Sequence, residues 1–350
     1  MASNSLAQDL DDILVRTYDL WDELRSQRIF ITGGTGFFGC WLLESLIWAN
    51  DKLGLNTEVV VLTRNCDAFR KKAPHLANHP SIQFIIGDVT SFNFPEGNFS
   101  YIIHAATEAS AKLNEENPLL MFDTIVQGTR HTLEFAKLCQ AKKFLLTSSG
   151  AVYGKQPSDL THIPEDYMAA PDPTYPQSAY GEGKRAAEML CTLYGKQYGF
   201  EVKIARCFAF VGPYLPLDTH FAIGNFIRDG LQGCPILVNG DGTPYRSYLY
   251  AADLAIWLWT ILLKGRSCYP YNVGSEEDMT IANLAYIVGE AFSEAIEIKI
   301  SQSPIPGSNP SRYVPSTKRA LTELNLQSRV NLADAIKRTI IWKYSSIGSK

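Results

Sequence analysis

Residues 28–39 read RIFITGGTGFFG, and this stretch decides the fold class. RIFIT has the short apolar composition of a buried strand, and an apolar helical pattern begins directly after the glycines. Gly33, Gly36 and Gly39 are spaced three apart between the two elements. Such glycines let the backbone approach a pyrophosphate, while the helix N-terminus offers unpaired N–H donors and a positive dipole end. The stretch therefore predicts a strand–loop–helix unit that binds a dinucleotide, with a purely structural glycine turn as the alternative.

The alternation of strand and helix continues along the chain. Short apolar runs bounded by Gly, Asp, Thr or Ser alternate with helical patterns, as is typical of an α/β fold with a doubly wound parallel sheet. The predicted strands are 28–32, 58–63, 82–86, 101–104, 143–147 and 202–205. The predicted helices between them are 38–53, 119–140 and 179–198.

The texture of the sequence changes after about Arg206, where Gly and Pro become frequent. Helical patterns return at 253–263 and 280–292, SQSPIPGSNPSRYVPS (301–316) is typical of a loop, and the last helix begins near Leu332. The sequence thus predicts three parts: an N-terminal helical extension (1–27), a dinucleotide-binding domain (28–206) and a smaller, mainly substrate-binding α/β domain (207–350). The extension is expected to dock on the main body or on a neighbouring subunit.

Composition and charge limit the classes of function. Of the 350 residues, 46% are hydrophobic and 19% charged, which supplies a large core and argues against an intrinsically disordered chain. The 32 Lys+Arg against 36 Asp+Glu give a net charge of -4 without a long basic run. We therefore expect no nucleic-acid partner, and we expect anionic ligands to be held by local cations or backbone amides.

Cysteine spacing and hydropathy bear on the compartment. The seven cysteines are scattered without C-x-x-C spacing, which favours a reducing compartment and gives no support for disulfides or a metal site. The longest strongly apolar stretch, 254–263, is far shorter than the roughly twenty residues that cross a bilayer. The N-terminus also lacks the pattern of a secretory signal. We expect a cytoplasmic protein without a membrane partner.

The end of the second predicted strand bears on the choice of dinucleotide. A carboxylate there favours NAD, whereas VVVLTRN has Thr63 and Arg64. Arg64 would either grip a 2′-phosphate or lie flat on the adenine, so the cofactor is NAD or NADP, and Arg64 favours NADP. Asp88, after the third strand, suits a contact with the adenine amino group, and Val89 beside it joins the predicted cofactor site.

A catalytic site is predicted from three residues. Tyr180 and Lys184, in SAYGEGKRAAE, lie four residues apart within a strong helical pattern and therefore on one helix face. A tyrosine becomes a usable base when an ammonium and a cationic nicotinamide stabilise its phenolate. Y-x-x-x-K alone is poor evidence in a chain with 17 tyrosines. Ser149, however, ends the fifth strand, where its hydroxyl can bond a substrate alcohol or the carbonyl formed from it.

In this order the motifs resemble the extended short-chain dehydrogenase/reductases, the NAD(P)-dependent nucleotide-sugar epimerases and dehydratases. The resemblance runs from about Arg28 to about Trp342 and includes GGTGFFG, IIHAA, TSSGAVYG, YGEGK and NGDGTPYRSYLYAADLA. It implies a Rossmann fold and an enzyme that acts on a nucleoside-diphosphate sugar. It also implies a homodimer formed through a four-helix interface.

The resemblance also implies roles for particular residues. Ser149, Tyr180 and Lys184 take the roles of the family's catalytic triad. Asn225 and Arg246 match positions that bind the nucleotide diphosphate, and a guanidinium fits a diphosphate bidentately. The full predicted cofactor site comprises Gly33, Thr35, Gly36, Phe37, Phe38, Gly39, Thr63, Arg64, Asp88, Val89, His104, Ala105, Ala106, Tyr180 and Lys184. The full predicted substrate site comprises Glu108, Ser149, Tyr180, Asn225 and Arg246.

Several positions depart from the family pattern. Ala209 stands where Asn is usual, so one diphosphate contact is lost. Ile125 replaces the Asn expected three residues before the Gly of QGT, which argues against a polar contact near the active site. Ser316 ends RYVPS, where the family's late Arg-x-Pro-Asp pattern has Asp.

One departure separates reaction types. Dehydratases of the family carry an acidic pair just after the catalytic hydroxyl residue, and the sugar-acid decarboxylases carry a Glu two residues after it. Gly150 and Ala151 occupy those places. Loss of water needs a general acid and base beyond the tyrosine, and neither residue supplies one. Glu108, in HAATEAS, is a carboxylate that would stand in for them.

The predicted activity is reversible hydride transfer at C4 of a nucleoside-diphosphate hexose through a 4-keto intermediate. An epimerase is favoured because SSGAVYG most resembles the 4-epimerases. One alternative is an NADPH-dependent 4-keto-sugar reductase, supported by Arg64. Another is a 4,6-dehydratase or sugar-acid decarboxylase that uses Glu108. The last is a non-catalytic dinucleotide-binding regulator, suggested by Ala209, Ile125 and Ser316.

Overall fold

The computed structural model describes residues 4–107, 111–218 and 221–348. The strands are β1 Arg28–Thr32, β2 Glu58–Thr63, β3 Ile82–Ile86, β4 Tyr101–His104, β5 Lys143–Ser149, β6 Glu201–Cys207, β7 Phe210–Val211, β8 Ile236–Val238, β9 Tyr245–Ser247, β10 Leu249–Tyr250, β11 Tyr269–Val273, β12 Asp278–Thr280, β13 Ile298–Ile300 and β14 Arg312–Tyr313. The helices are α1 Ala7–Arg16, α2 Phe37–Leu53, α3 Cys66–Lys72, α4 Pro74–Ala77, α5 Ala111–Glu116, α6 Pro118–Leu138, α7 Ala179–Tyr198, α8 Ala222–Leu231, α9 Ala251–Lys264, α10 Ile281–Glu290, α11 Lys318–Leu324 and α12 Leu332–Gly348. Short 3₁₀ helices cover Tyr18–Leu24, Gly150–Tyr153 and Pro176–Ser178.

Within these residues, seven parallel strands form one sheet in the order β11-β6-β5-β4-β1-β2-β3. Both faces of the sheet are covered. Ile29 and Ile31 of β1 pack in the core that includes α2 and α9, while Phe30 packs in the core that includes α6 and α7. Because side chains alternate across a strand, a run such as RIFIT is apolar throughout only when both faces are buried. The predicted fold class is confirmed.

The seventh strand comes from the part of the chain beyond residue 207. β11 pairs with β6 at the edge of the sheet, so the C-terminal part completes the dinucleotide-type sheet. Its sequence, YPYNV, has a proline and an asparagine instead of an apolar run. Proline has no N–H to donate and is tolerated at a sheet edge, which explains why the pattern did not predict a strand.

The N-terminal extension packs on the body of the same chain. α1 and the 3₁₀ turn after it contact α2 and α9, and the Trp21 and Trp259 rings lie 5.4 Å apart between centroids. Asp9 of α1 accepts a hydrogen bond from Tyr250 at 2.5 Å and pairs with Arg338 of α12. Asp9 therefore links α1, in the extension, to α12 near the end of the chain.

A small sheet brings the C-terminal part toward the end of β5. β9 pairs with β12 on one side and with β14 on the other. The prediction of a loop over 301–316 is wrong at Arg312–Tyr313, because these two residues form β14.

None of the helices in the described ranges combines the length and the apolar composition that crossing a bilayer requires.

Candidate active site

The glycine loop leaves no space for side chains. Gly33 has a φ of +72°, and a Cβ there would lie 2.5 Å from the Ala105 carbonyl carbon. A Cβ on Gly39 would lie 2.3 Å from the Cα of Gly34. The loop therefore folds onto itself and onto the chain that follows β4, with glycine required at both positions.

The first turn of α2 is open to an anion. Gly36 is its N-cap, and no side chain caps it within the described residues. The N–H groups of Phe37 and Phe38 thus lie at the positive end of a 17-residue helix. The carbonyl of Thr35 accepts a hydrogen bond from Lys72 at 3.0 Å, which adds a cation at the loop. The loop and helix fit the pyrophosphate of a dinucleotide.

The ends of β2 and β3 bring Arg64 and Asp88 to one edge. The two strands are parallel neighbours, and Arg64 is close enough to contribute to lowering the pKa of Asp88, after the larger contributions of its hydrogen bonds with Thr90. Thr63 accepts a hydrogen bond from the Asn65 amide at 3.2 Å. Val89 is buried, and its side chain packs against Gly128 of α6 in the core that includes α6 and α7.

The side chain of His104 is buried and is held by two threonines. Its ring nitrogens lie 2.8 Å from Thr32 Oγ1 and 3.1 Å from Thr129 Oγ1 in the interior. Burial, together with Lys184, lowers the pKa of His104 to about 3, so the ring is neutral. Any contact of His104 with a cofactor therefore falls to its backbone, whereas Ala105 is in direct contact with Gly33.

Ser149, Tyr180 and Lys184 meet where β5 ends against α7. Lys184 Nζ donates to Thr107 Oγ1 at 2.6 Å and to the Thr147 carbonyl at 2.8 Å, and it lies 6.0 Å from the Tyr180 ring centroid. Burial lowers the pKa of Lys184 to about 8. Burial raises the pKa of Tyr180, and a hydrogen bond with Ser149 partly opposes this rise. Because Thr107 follows closely on Ala105, one short segment touches both the glycine loop and the triad.

A partly buried ion pair lies next to the triad on α7. Glu188, one turn after Lys184 on α7, accepts a hydrogen bond from Ser148 at 2.6 Å and pairs with Arg206 of β6 at 2.8 Å. Arg206 also donates to the Tyr153 hydroxyl at 2.9 Å. Glu188 was not predicted from the sequence, although its spacing of four from Lys184 places it on the same helix face.

Tyr313 is a second phenol at the site, and it was not among the residues predicted from the sequence. Its hydroxyl lies 3.4 Å from Ser149 Oγ, and its ring packs on Phe208 with centroids 4.7 Å apart. A Cβ on Gly150 would lie 2.7 Å from the Phe208 ring and 2.8 Å from the Tyr313 hydroxyl oxygen. Phe208 and Tyr313, from the C-terminal part of the chain, therefore occupy the space that an acidic side chain at position 150 would need.

The two predicted diphosphate ligands lie on different elements. Asn225 of α8 lines a cavity of about 710 Å³ between α8 and the 235–244 segment, and its side-chain oxygen accepts from Arg228 at 3.1 Å. Arg246 of β9 donates to the Tyr245 carbonyl at 2.7 Å and has no carboxylate partner within the described residues. A cation without a carboxylate partner suits an anionic ligand.

Two of the positions that depart from the family pattern pack in the protein interior. Ile125 is buried and packs against Gly183 of α7, so an apolar contact occupies this place. Ala209 lies partly buried against the main core. Glu108, the predicted substitute carboxylate, lies outside the described residues. Among the residues with a described placement, no three His, Cys, Asp or Glu side chains converge as a metal site would require.

Known proteins are similar to this chain in sequence or in fold. The model of the NAD dependent epimerase/dehydratase family matches residues 29–274. UDP-glucuronic acid decarboxylase 3 of Arabidopsis thaliana is 33% identical over 312 residues, covering 89% of this chain and 87% of that protein. The solved UDP-glucose 4-epimerase of Thermotoga maritima, with UDP-glucose, has a TM-score of 0.76 at 21% identity and covers 92% of this chain and 100% of that one. The UDP-glucuronic acid 4-epimerase of Bacillus cereus, in complex with UDP-glucuronic acid and NAD, has a TM-score of 0.76 at 22% identity and covers 91% and 99%.

Proposed function

Because the chain belongs to the NAD dependent epimerase/dehydratase family, we propose that it oxidises C4 of a nucleoside-diphosphate hexose to a ketone and later reduces that ketone. The observation that carries this proposal is the meeting of Ser149, Tyr180 and Lys184 beside residues 105–107, which also touch the glycine loop. A nicotinamide dinucleotide supplies the hydride acceptor and donor. Binding, orientation and proton transfer fall to the side chains of the chain itself.

Tyr180 is the proposed base for the proton of the 4-hydroxyl group. Its phenol needs help to ionise, because burial raises its pKa. Lys184, 6.0 Å from the ring centroid, supplies a positive charge that favours the phenolate. With a pKa of about 8, Lys184 keeps this charge at neutral pH. Ser149, which forms a hydrogen bond with Tyr180, is the proposed holder of the C4 oxygen.

Decarboxylation is the outcome that the relatives favour. Several curated relatives, at 31% to 33% identity, are named UDP-glucuronic acid decarboxylases. In a hexuronic acid, a ketone at C4 is β to the C6 carboxylate. The C5–C6 bond then breaks with its electron pair moving toward the C4 oxygen, CO₂ leaves, and C5 takes up a proton. We therefore place a nucleotide-sugar decarboxylase ahead of the 4-epimerase that the sequence pattern favoured.

The 4-epimerase is the second candidate. Gly150 and Ala151 supply no carboxylate, and Phe208 and Tyr313 fill the space beside Gly150. Epimerisation needs none, because the ketone only has to turn and receive the hydride on its other face. A 4-keto-sugar reductase remains an alternative that depends on Arg64. A regulator without activity is disfavoured because the relatives are named as enzymes.

The choice of cofactor rests on the edge formed by Arg64 and Asp88. The family description and the NAD bound in the Bacillus cereus neighbour favour NAD, whereas Arg64 in place of a carboxylate favours NADP. We expect Arg64→Ala to weaken NADP binding by about tenfold or more and NAD binding much less, since only NADP carries the 2′-phosphate. Calorimetry with both dinucleotides checks this. A wild-type preference for NAD that survives the substitution would exclude the phosphate role.

The test of the function is a panel of sugar nucleotides. Purified protein with NAD or NADP is incubated with UDP-glucuronic acid and with UDP-, dTDP-, GDP- and CDP-hexoses, and the products are followed by NMR. A nucleoside-diphosphate pentose with release of CO₂ identifies the decarboxylase, and a C4 epimer identifies the epimerase. A 4-keto-6-deoxy sugar contradicts both, and no turnover of any sugar contradicts the proposal as a whole.

A further inference from the structure

The second phenol at the site, Tyr313, has no part in the mechanism described so far. Its hydroxyl lies 3.4 Å from Ser149 Oγ, and its ring packs on Phe208 with an interplanar angle of 37°. Ser149 is the residue proposed to hold the C4 oxygen of the sugar. Tyr313 thus lies next to the side chain that is proposed to hold the reacting oxygen.

The position of this phenol is fixed on both sides along the chain. The Val314 amide donates to Gln156 Oε1 at 3.0 Å, and the Val314 carbonyl accepts from the Ile163 amide at 2.9 Å. Arg312, on the opposite face of the strand, pairs with Asp278 at 2.6 Å. A side chain held in this way is preorganised to meet a ligand without a cost of ordering.

Tyr313 also spans the distance between two proposed contacts of the substrate. In the register of β9 and β14, Tyr313 lies opposite Arg246, and the guanidinium carbon is 6.0 Å from the phenol ring centroid. Arg246 is the proposed ligand of the diphosphate on C1, and Ser149 is that of the oxygen on C4. A hexose that bridges these two residues runs alongside the Tyr313 ring, because C1 and C4 lie at opposite ends of the sugar ring.

We infer that Tyr313 contacts the sugar itself and donates a hydrogen bond to the C4 oxygen beside Ser149. This inference rests on the proposed function. The phenol acts as a donor and not as a second base, because burial raises its pKa and keeps it protonated. A fixed donor at an oxygen that gains negative charge stabilises a ketone or an enolate without reorganisation. Both proposed outcomes, decarboxylation and epimerisation, pass through such an oxygen.

The test uses Tyr313→Phe, which keeps the ring on Phe208 and removes only the hydroxyl. Tyr286→Phe, on the exposed side of α10, is the matched control. With NAD-loaded protein, the dissociation constants of UDP and UDP-glucuronic acid are measured by calorimetry. We expect the preference for the sugar nucleotide over UDP to fall by about fivefold in Tyr313→Phe, the effect of one neutral hydrogen bond. We expect kcat to fall by about 100- to 1,000-fold, as for the loss of one donor to a developing oxyanion.

The outcomes separate this inference from the proposed function. If Tyr180→Phe abolishes turnover while Tyr313→Phe keeps both the wild-type kcat and the wild-type preference for the sugar, the inference is wrong and the function stands. If the wild type turns over no sugar nucleotide, the function fails, and the binding measurement still decides whether Tyr313 contacts the sugar. If the Tyr313→Phe substitution alters the thermal unfolding of the protein, Tyr313→Leu is measured in its place. We expect the same loss of preference for the sugar nucleotide over UDP.

Discussion

Tyr180 differs from Tyr153, another phenol near the site, in the cation that faces it. Tyr153 donates to Asn272 and faces Arg206, whose charge Glu188 already balances, and burial raises its pKa to about 12. Tyr180 lies near the Lys184 ammonium, which has no carboxylate partner among the described ion pairs. A charge without a carboxylate partner is the one most able to stabilise a phenolate. The distinction between Tyr153 and Tyr180 is therefore electrostatic.

Tyr180→Phe tests this role directly. We expect kcat to fall by about a hundredfold to ten-thousandfold, because the general base is lost. The dissociation constant of the dinucleotide should change little, since the glycine loop and the first turn of α2 are untouched. Turnover is measured on the sugar nucleotide that the wild type accepts, with Tyr198→Phe at the exposed end of the same helix as the control. Turnover within a few-fold of wild type would remove Tyr180 from the mechanism.

At the scale of elements, α7 carries Tyr180, Lys184 and Glu188 at successive turns of one face. Glu188 is bonded to Arg206 on β6 and to Ser148 on β5, so the helix is tied to the strand that ends in Ser149. Burial lowers the pKa of Lys184, and Glu188 is among the groups that oppose this shift. The same carboxylate thus positions the helix and helps to keep Lys184 charged.

Glu188→Gln should therefore change the pH dependence of the enzyme. Removal of a negative charge lowers the pKa of Lys184 further below about 8, so the ammonium is lost at a lower pH and the alkaline limb of kcat moves to lower pH. Thermal unfolding should also occur at a lower temperature, because the partly buried Arg206 loses its charged partner. The control is Glu182→Gln, whose pair with Arg185 on the same helix is more exposed. An unchanged alkaline limb would show that Glu188 has only a structural role.

Most strands that the sequence predicted have both faces largely buried, since a continuous apolar run is typical of such a strand. β3, at the edge of the sheet, was predicted from the same kind of run although Gln83 and Ile86 are exposed. β1 to β4 begin and end where the pattern predicts. β14 was missed because two residues, Arg312 and Tyr313, carry no periodicity and form a strand only by pairing with β9. The meeting of Tyr313 with Ser149 joins residues 164 positions apart, and no local pattern encodes it. The triad was predictable because its spacing lies within one helix and one strand end.

At the scale of the whole molecule, α1 and α12, which lie far apart in the sequence, contact each other. Asp9 lies between Tyr250 and Arg338, and Trp48 of α2 donates to Asp11 at 2.8 Å. These contacts cover α2 and α9 on one side of the sheet. The opposite side, formed by α6 and α7, keeps large apolar side chains at its surface: Leu119, Leu120, Leu138, Met189 and Leu193.

We propose that α6 and α7 form the four-helix interface of a homodimer. Leu193 is 52% exposed and Met189 is 61% exposed on the same helix, and a second copy would remove this apolar surface from water. Leu193→Glu should convert a dimer into a monomer, because an unpaired carboxylate at the core of an interface is costly to desolvate. Light scattering at micromolar concentration measures the mass. Leu321→Glu, which also charges an exposed leucine but lies on α11, should leave the dimer intact. A monomeric wild type, or a Leu193→Glu protein that keeps the mass of two chains, would exclude this interface.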